Sequence, residues 1–434
     1  MLPTAGKDTR FRLSEARALE LAAAFGTPLY VVDEAHFRER IRRFKRAFAA
    51  ASPDHEISYA SKANSALAVL AIAHRMGLAI DVASEGEFRA ALAARVPAAH
   101  CHFHGSNKTC EELGFALSQG IGQIIIDNFH EIDLIASLTN EESQFLLRLA
   151  PGVDPKTHVK IATGRVDTKF GFSIADGSAE GALQKCLALG LPVIGFHFHV
   201  GSQLTDATAQ SEAARMLGTF AREVDARHNF RAQLINFGGG LGAAYQTVDD
   251  IQPVEEYCYA VVKAFREGYG DGPPVRLAQE PGRWLIAESG VTLYEVGALK
   301  TLKLSGGEKI YVSVDGGLSD NPRPLLYGSH YEVECLRNSS VPNVRMTVAG
   351  RHCETDTLFE DVRLPRDLAS GDLLQVLATG AYNASMASNY NRFVRPAMVL
   401  LRESGTADVI QTRETWRQLL EREVLPDDLI GSSQ

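Results

Sequence analysis

Short apolar runs alternate with amphipathic stretches along most of the chain, and this alternation is what most limits the fold. Strands are expected near residues 56–60, 79–83, 100–104, 122–127, 144–149, 193–199, 233–237 and 275–280, each followed by a helical period. A strand at Leu29–Val32 and a helix near Ala35–Ala50 come before them. About eight strand–helix units in roughly 230 residues match the size of a (β/α)8 barrel of the TIM type. A doubly wound open sheet uses the same alternation, so the count of eight carries the choice. Beyond Arg283 the pattern changes. "VTLYEVGALKTLKL", "KIYVSVDGG", "VRMTVAG" and "DLLQVLATG" are strand-like, with turn residues between them. The chain therefore reads as an α/β barrel over 36–284 and an all-β domain over 285–420. Its 434 residues exceed one ordinary core, which agrees with two domains.

Charge and composition exclude several classes. A formal charge of −9 and the lack of any dense Lys/Arg stretch argue against nucleic-acid binding. No apolar run is long enough for a membrane span, and "MLPTAGKDTRFR" lacks the apolar region of a secretory signal. Six scattered cysteines without a C-x-x-C pair suit free thiols in a reducing cytoplasm. The sequons at Asn107, Asn338 and Asn383 are then chance matches.

In barrels, chemistry gathers where strands end and the following loops begin. "ISYASKANS" sets Lys62 on the tight turn after the first barrel strand, a place where a lysine is ordinarily a solvated surface group. Asp81 lies at the end of the second strand, and His104 and Asp127 close the third and fourth. "FHFHVGSQ" places His197 and His199 at the end of the sixth, alternate residues sharing a face. "NFGGGLG" follows the seventh strand and Glu280 ends the eighth. Singly, each has an ordinary reading: a strand-end aspartate caps a turn, histidines pack, and glycines bend the chain. Together on one rim they point to an active site at the barrel mouth.

The chemistry can be narrowed. No P-loop and no G-x-G-x-x-G occur, and "HEISY" and "HEIDL" both lack the second histidine of a zinc motif, so no metal is expected. "GGGLG" offers backbone N–H groups ahead of a helix starting near Val254, a natural anion cradle. A lysine able to bond a carbonyl carbon, an anion site and an acid that keeps a ring nitrogen protonated together suggest pyridoxal 5'-phosphate.

"YASKAN", "DVASEGE", "DTKFGF", "FHFHVGSQL", "FGGGLG", "EPGRWLIAESG", "DGGLSDNPRPLLYG", "HCET" and "GAY…SMASNYN" occur in a telling order and spacing. From about Pro28 to Arg395 the chain resembles the meso-diaminopimelate decarboxylases, fold-type-III pyridoxal-phosphate enzymes. The resemblance implies an alanine-racemase-like barrel and a β domain that residues 1–35 help to complete. It implies decarboxylation of meso-2,6-diaminopimelate to L-lysine in a cytoplasmic homodimer with shared active sites. By position, Lys62 resembles the lysine that carries the cofactor, and His199 the residue stacked on its ring. Ser202, Gly238, Gly239, Gly240 and Tyr382 resemble its phosphate site. Glu280 matches the acid beside the ring nitrogen, and Asp81 joins the cofactor-binding set. Arg283, Arg323, Tyr327 and Glu354, with Tyr382, match positions that hold the substrate, and Cys353 resembles the proton donor from the partner subunit. Taken alone, Arg323 in its turn context would be a surface ion pair and Cys353 an inert buried thiol.

Three places depart from the family pattern. "CETDTLF" has Asp356 one place early, "GSNKT" replaces the usual "GNNKS", and Asn383 stands where glycine is frequent. The first and third bear on the substrate, since relatives of this architecture act on other D-, basic or conjugated amino acids. A racemase on the same barrel would not require the "HCE" segment. A non-catalytic cofactor carrier would resemble the barrel alone.

Overall fold

The computed structural model describes residues 9–138, 143–153, 168–355 and 357–429. Asp356 and the first residue of "DTKFGF", Asp167, lie outside the described residues. In chain order, α1 (Glu15–Phe25), β1 (Leu29–Asp33) and α2 (Glu34–Ala51) come first. Strands β2 (His55–Ala60), β3 (Ala79–Val82), β4 (Cys101–Phe103), β5 (Gln123–Ile126) and β6 (Gln144–Ala150) follow. Between them run α3 (Leu67–Arg75), α4 (Glu85–Ala93), α5 (Cys110–Ser118) and α6 (Phe129–Leu138). Next come β7 (Phe172–Ser173), α7 (Ser178–Ala188), β8 (Val193–Phe198), α8 (Thr208–His228), β9 (Leu234–Asn236), α9 (Val254–Tyr269) and β10 (Arg276–Gln279).

Eight of these strands close a ring. Parallel pairings run β2–β3–β4–β5–β6–β8–β9–β10 and return from β10 to β2, which rules out the open sheet. Each lies within one residue of the expected bounds at either end. The two-residue β7 pairs in parallel with the end of β6 and is too short to carry a period. Alternate strand residues face the helices: Tyr59 of β2 packs edge-on against Phe37 of α2, and Phe196 of β8 against Phe220 of α8. Inside, Ile125, Leu146, Leu234 and Ala278 form a buried apolar cluster. Ser58, Asp81, His102, Asn236 and Glu280 are buried polar groups from neighbouring barrel strands.

Among the described residues the chain forms two compact units, one of Glu34–Ser289 with Thr9 and Arg10, the other of Phe11–Asp33 with Gly290–Leu429. The second is built on β11 (Gly290–Leu304), β12 (Gly307–Val314), β13 (Val333–Cys335), β14 (Asn343–Ala349), β15 (Thr357–Pro365), β16 (Leu373–Leu377), β17 (Ala397–Leu401) and β18 (Ala407–Gln411). Its sheet runs β15–β14–β12–β11–β1–β17–β18, with β16 joined to β11 and β13 to β16. Strand β1 is antiparallel to β11 and parallel to β17, and its Leu29 and Val31 sit in a core with Leu21, Leu293, Leu377 and Val399. This unit is mostly rather than purely β. A one-turn helix at Arg323–Tyr327 and another at Trp416–Leu420 interrupt it. Among the described residues, no helix is long and apolar enough to cross a membrane.

Candidate active site at the barrel mouth

Strand β2 ends at Ala60, and Ser61–Ala63 form a single 3-10 turn with Lys62 exposed at its centre. Neighbours hold this turn. Ser61 Oγ donates to Glu87 Oε2 at 2.8 Å, and the same oxygen accepts from the Ala83 N–H at 2.8 Å. Glu87 is fixed in the first turn of α4, whose N-cap Ser84 accepts from the Glu87 N–H. A Cβ on Gly282 would lie 2.9 Å from the Ala60 Cβ, so the glycine of "EPGR" is what lets the exit of β10 lie against the lysine turn.

Beside that exit sits a buried charge cluster. Glu280 lies 3.1 Å from His197 Nε2 and 3.3 Å from His104 Nε2, and it accepts from Asn236 Nδ2 at 2.7 Å. Donor nitrogens and carboxylate oxygens of His104, His197 and Glu280 all fall within 4.8 Å of one another. Burial alone would raise the Glu280 pKa, but the charge of His104 and hydrogen bonds from His104 and His197 outweigh it and hold the carboxyl well below its ordinary value. Burial likewise opposes protonation of His104, yet Glu280 first and then Asp81 push its pKa up to about 9. His197 stays neutral because burial dominates there. His199, just past β8, is pushed down to about 3 by burial, Lys62 and Arg148, so its ring is uncharged. Asp81 lies 3.2 Å from His102 and 3.7 Å from His104. Asp127 faces Arg148 at 3.6 Å, on the far side of the ring of strands.

The glycine loop needs one correction. The Gly238 N–H donates to Asn236 Oδ1 at 2.9 Å, so it is spent within the loop and is not left for an anion. Among the described residues, no hydrogen bond engages the N–H groups of Gly239 and Gly240. A Cβ on Gly239 would sit 2.3 Å from the Glu280 carbonyl oxygen, so the loop lies directly on the end of β10. Helix α9 does start at Val254, after an intervening segment, residues 241–253, whose Gln252 N–H donates to the Thr205 carbonyl at 2.8 Å. Instead Arg283 is close by: its Nη2 donates to Ser202 Oγ at 3.0 Å and its Nη1 to the Tyr245 hydroxyl. Leu204 N–H donates to the Gly240 carbonyl at 2.9 Å, tying the Ser202 segment to the glycines.

Within the second unit, Arg323 is buried, contrary to the surface placement its turn context suggests. Its Nε donates to the Tyr331 hydroxyl at 3.0 Å, and its guanidinium lies 5.2 Å from the Tyr327 ring centre and 5.5 Å from that of Tyr382. The helix that carries it is held through Asp320, which accepts from the Gly317 N–H at 2.8 Å and from the Tyr294 hydroxyl. Burial pushes Asp320 up to about 7. Cys353 is exposed, not the buried thiol a lone cysteine suggests, and its N–H donates to Asn391 Oδ1 at 2.9 Å. Glu354 is exposed and accepts from the Tyr390 hydroxyl. Asn383 has φ −98°, a conformation that does not require glycine.

Sequence reasoning missed Glu87, Asn236, Tyr245 and Asp320. Two had a signal: the S-x-x-E spacing of Ser84 and Glu87 is a cap signature, and Asp320 precedes the proline turn of "SDNPRP".

Residues 34–287 match the family model described as pyridoxal-dependent decarboxylase, pyridoxal binding domain. The chain is 41% identical to diaminopimelate decarboxylase of Bacillus subtilis over 413 residues, covering 93% of this chain and 92% of that one. It is 38% identical to the enzyme of the same name from Staphylococcus aureus, over 92% of this chain and 94% of that one. In three dimensions it is similar to the diaminopimelate decarboxylase of M. jannaschii solved with L-lysine, at a TM-score of 0.89 and 32% identity, covering 98% of each chain.

Proposed function

This chain belongs to the pyridoxal-dependent decarboxylases, and among them to the diaminopimelate decarboxylases, and from that premise we propose how its residues release carbon dioxide from meso-2,6-diaminopimelate to leave L-lysine. This is the closing step of lysine biosynthesis. The observation that carries the reading is the ionised, buried Glu280 beside an exposed Lys62 turn.

Pyridoxal phosphate fits the residues present. Glu280 is an anion of the kind that keeps a pyridine nitrogen protonated. His199 offers an uncharged, flat ring for stacking. Gly239 and Gly240 offer N–H groups, and Ser202 a hydroxyl, for a phosphate. Gly238 serves by shaping the loop, and Asp81 by facing His104. When bound, the cofactor supplies an electron sink for the pair left behind as the carboxylate departs.

The protein's part is positioning and proton control. The Lys62 amine, exposed on its turn, would be the covalent anchor that holds the cofactor. Arg283 orients Ser202 and also bears charge for the substrate. Arg323, Tyr327, Glu354 and Tyr382 are assigned to the distal amino-acid head, because a guanidinium fork suits a carboxylate and a carboxylate suits an ammonium. The Cys353 thiol gives its proton to the carbon that has lost carbon dioxide.

Residues 36–284 thus hold the cofactor and supply Arg283, while the β domain over 285–420 supplies the other substrate groups. The reading includes a homodimer in which Cys353 and Glu354 serve the partner's site. Their exposure supports this, as does that of Leu325, Leu326 and Tyr327 at 63%, 59% and 64%. Free cysteines support a cytoplasmic setting. The test is to incubate purified protein and cofactor with meso-diaminopimelate, with D-lysine, D-ornithine, L-ornithine and L-arginine alongside. Carbon dioxide and L-lysine in equal amounts from meso-diaminopimelate alone are expected; faster turnover of any other substrate would overturn the assignment.

A further inference from the structure

The geometry points to a proton relay through the barrel interior, running from Glu56 by way of His102, Asp81 and His104 to Glu280. It rests on the reading that Glu280 serves the cofactor's ring nitrogen, and it adds a route by which that acid's proton balance is kept.

Barrels of this type fill their interior with branched apolar side chains. One side here does so, with Ile125, Leu146, Leu234 and Ala278. On β2, β3 and β4 the interior is instead a column of ionisable groups. Glu56 Oε1 is 3.3 Å from His102 Nε2, and His102 Nδ1 is 3.2 Å from Asp81 Oδ1 and 3.0 Å from Ser58 Oγ. Asp81 Oδ1 is 3.7 Å from His104 Nε2, which is 3.3 Å from Glu280 Oε1. Asp81, His102 and Glu280 are all buried. Burying such groups is costly, and apolar residues of the same size fill a barrel without that cost.

The column has an open end. Glu56 retains 25% side-chain exposure and lines a polar cavity of about 430 Å³ with Gln123, Gln144, Arg231 and Gln233. These residues lie at or before the starts of the strands, so the cavity is on the face away from Lys62. Glu280 is faced by His104 and His197, by Asn236, and from β6 by Arg148. His102 is faced by Glu56 and Ser58 from β2 and by Asp81 from β3, and Gln123 of β5 faces Glu56. His197 is a side branch: it meets the column at Glu280, 3.1 Å away, and at the His104 ring, 5.1 Å between centroids, and burial keeps it neutral.

A transfer balances as follows. The Glu56 carboxylate takes a proton from water in the cavity and gives it to His102 Nε2. His102 releases its Nδ1 proton to Asp81, which leaves its ring as the Nε2–H tautomer. His104 yields its Nε2 proton to Glu280, and its ring then turns toward Asp81, closing the 3.7 Å between them to recover one there. One proton has entered and only the His102 tautomer has changed; the reverse sequence expels the proton and restores that tautomer. With cofactor and substrate filling the mouth, this route leaves Glu280 in contact with bulk pH.

The experiment is a pH jump on the holoenzyme held with saturating L-lysine, following the visible absorbance of the bound cofactor by stopped flow. Glu56→Gln and His102→Gln should reach the wild-type end point about a hundredfold more slowly, the low end of what a positioned proton carrier is worth. Glu56→Asp should relax at nearly the wild-type rate, which a merely structural role would not predict. Two breaks at different links keep the test standing if one variant fails to fold. Unchanged relaxation in variants that bind cofactor normally, or equal slowing in Glu56→Asp, overturns the relay. A wild type with no cofactor absorbance overturns the reading of the site itself.

Discussion

His104 Nε2 lies 3.3 Å from Glu280 Oε1, and each group holds the other in its charged form. The two residues come from the third and eighth strands of the barrel, so only closure of the ring brings them together. The pair has a measurable cost and gain. A histidine raised from 6.5 to about 9 binds its proton more tightly in the folded state. Its contribution to stability is full below pH 6.5 and is lost as pH rises through about 9. His104→Gln should therefore flatten the fall in stability across that interval. Urea unfolding of the cofactor-free protein at several pH values checks it, and parallel curves for the two proteins would contradict it.

Gly239 carries a second expectation. Because a Cβ there would meet the Glu280 carbonyl oxygen at 2.3 Å, Gly239→Ala must move the loop off the end of β10. Overpacking of this kind costs about 1–3 kcal/mol. Cofactor affinity, titrated by absorbance, should fall by about tenfold or more. Gly306→Ala, where a Cβ meets nothing within 4 Å, is the neutral control.

Arg323 separates the two ends of the substrate. Losing a buried charged contact costs about 2–5 kcal/mol, or roughly thirtyfold or more in efficiency. Arg323→Met should reduce kcat/KM on meso-diaminopimelate by that factor and leave any slow reaction with D-lysine, which lacks the distal carboxylate, nearly unchanged. Equal damage to both would remove Arg323 from the distal head.

Shared sites predict complementation. Lys62→Ala and Cys353→Ala are each expected to be inactive, yet mixed subunits should regain one intact site per heterodimer. Activity that stays absent after exchange is demonstrated by differently tagged chains would count against Cys353 acting across subunits.

How much of this was legible in the sequence depends on the range of the interaction. The eight barrel strands were, because a buried strand against an amphipathic helix writes periods of 2 and 3.6 into adjacent residues. The rim residues followed, since strand ends mark the mouth. What periodicity could not show was pairing across the ring. His102 and Glu56 look like ordinary alternating strand residues until closure sets them 3.3 Å apart. The Asn236 carboxamide that consumes the Gly238 N–H was equally hidden, because a side chain bonding two residues along leaves no period. Arg323 escapes for a related reason: a proline turn reads as surface, while the Tyr331 and Ser329 hydroxyls and the rings of Tyr327 and Tyr382 surround its guanidinium.

Every role above depends on Lys62 carrying the cofactor. Purified holoenzyme reduced with borohydride and digested should yield one peptide bearing the reduced cofactor adduct, the one containing Lys62, and Lys62→Ala should yield none. Labelling of any other lysine, such as the buried Lys108, in the wild-type protein would contradict the account.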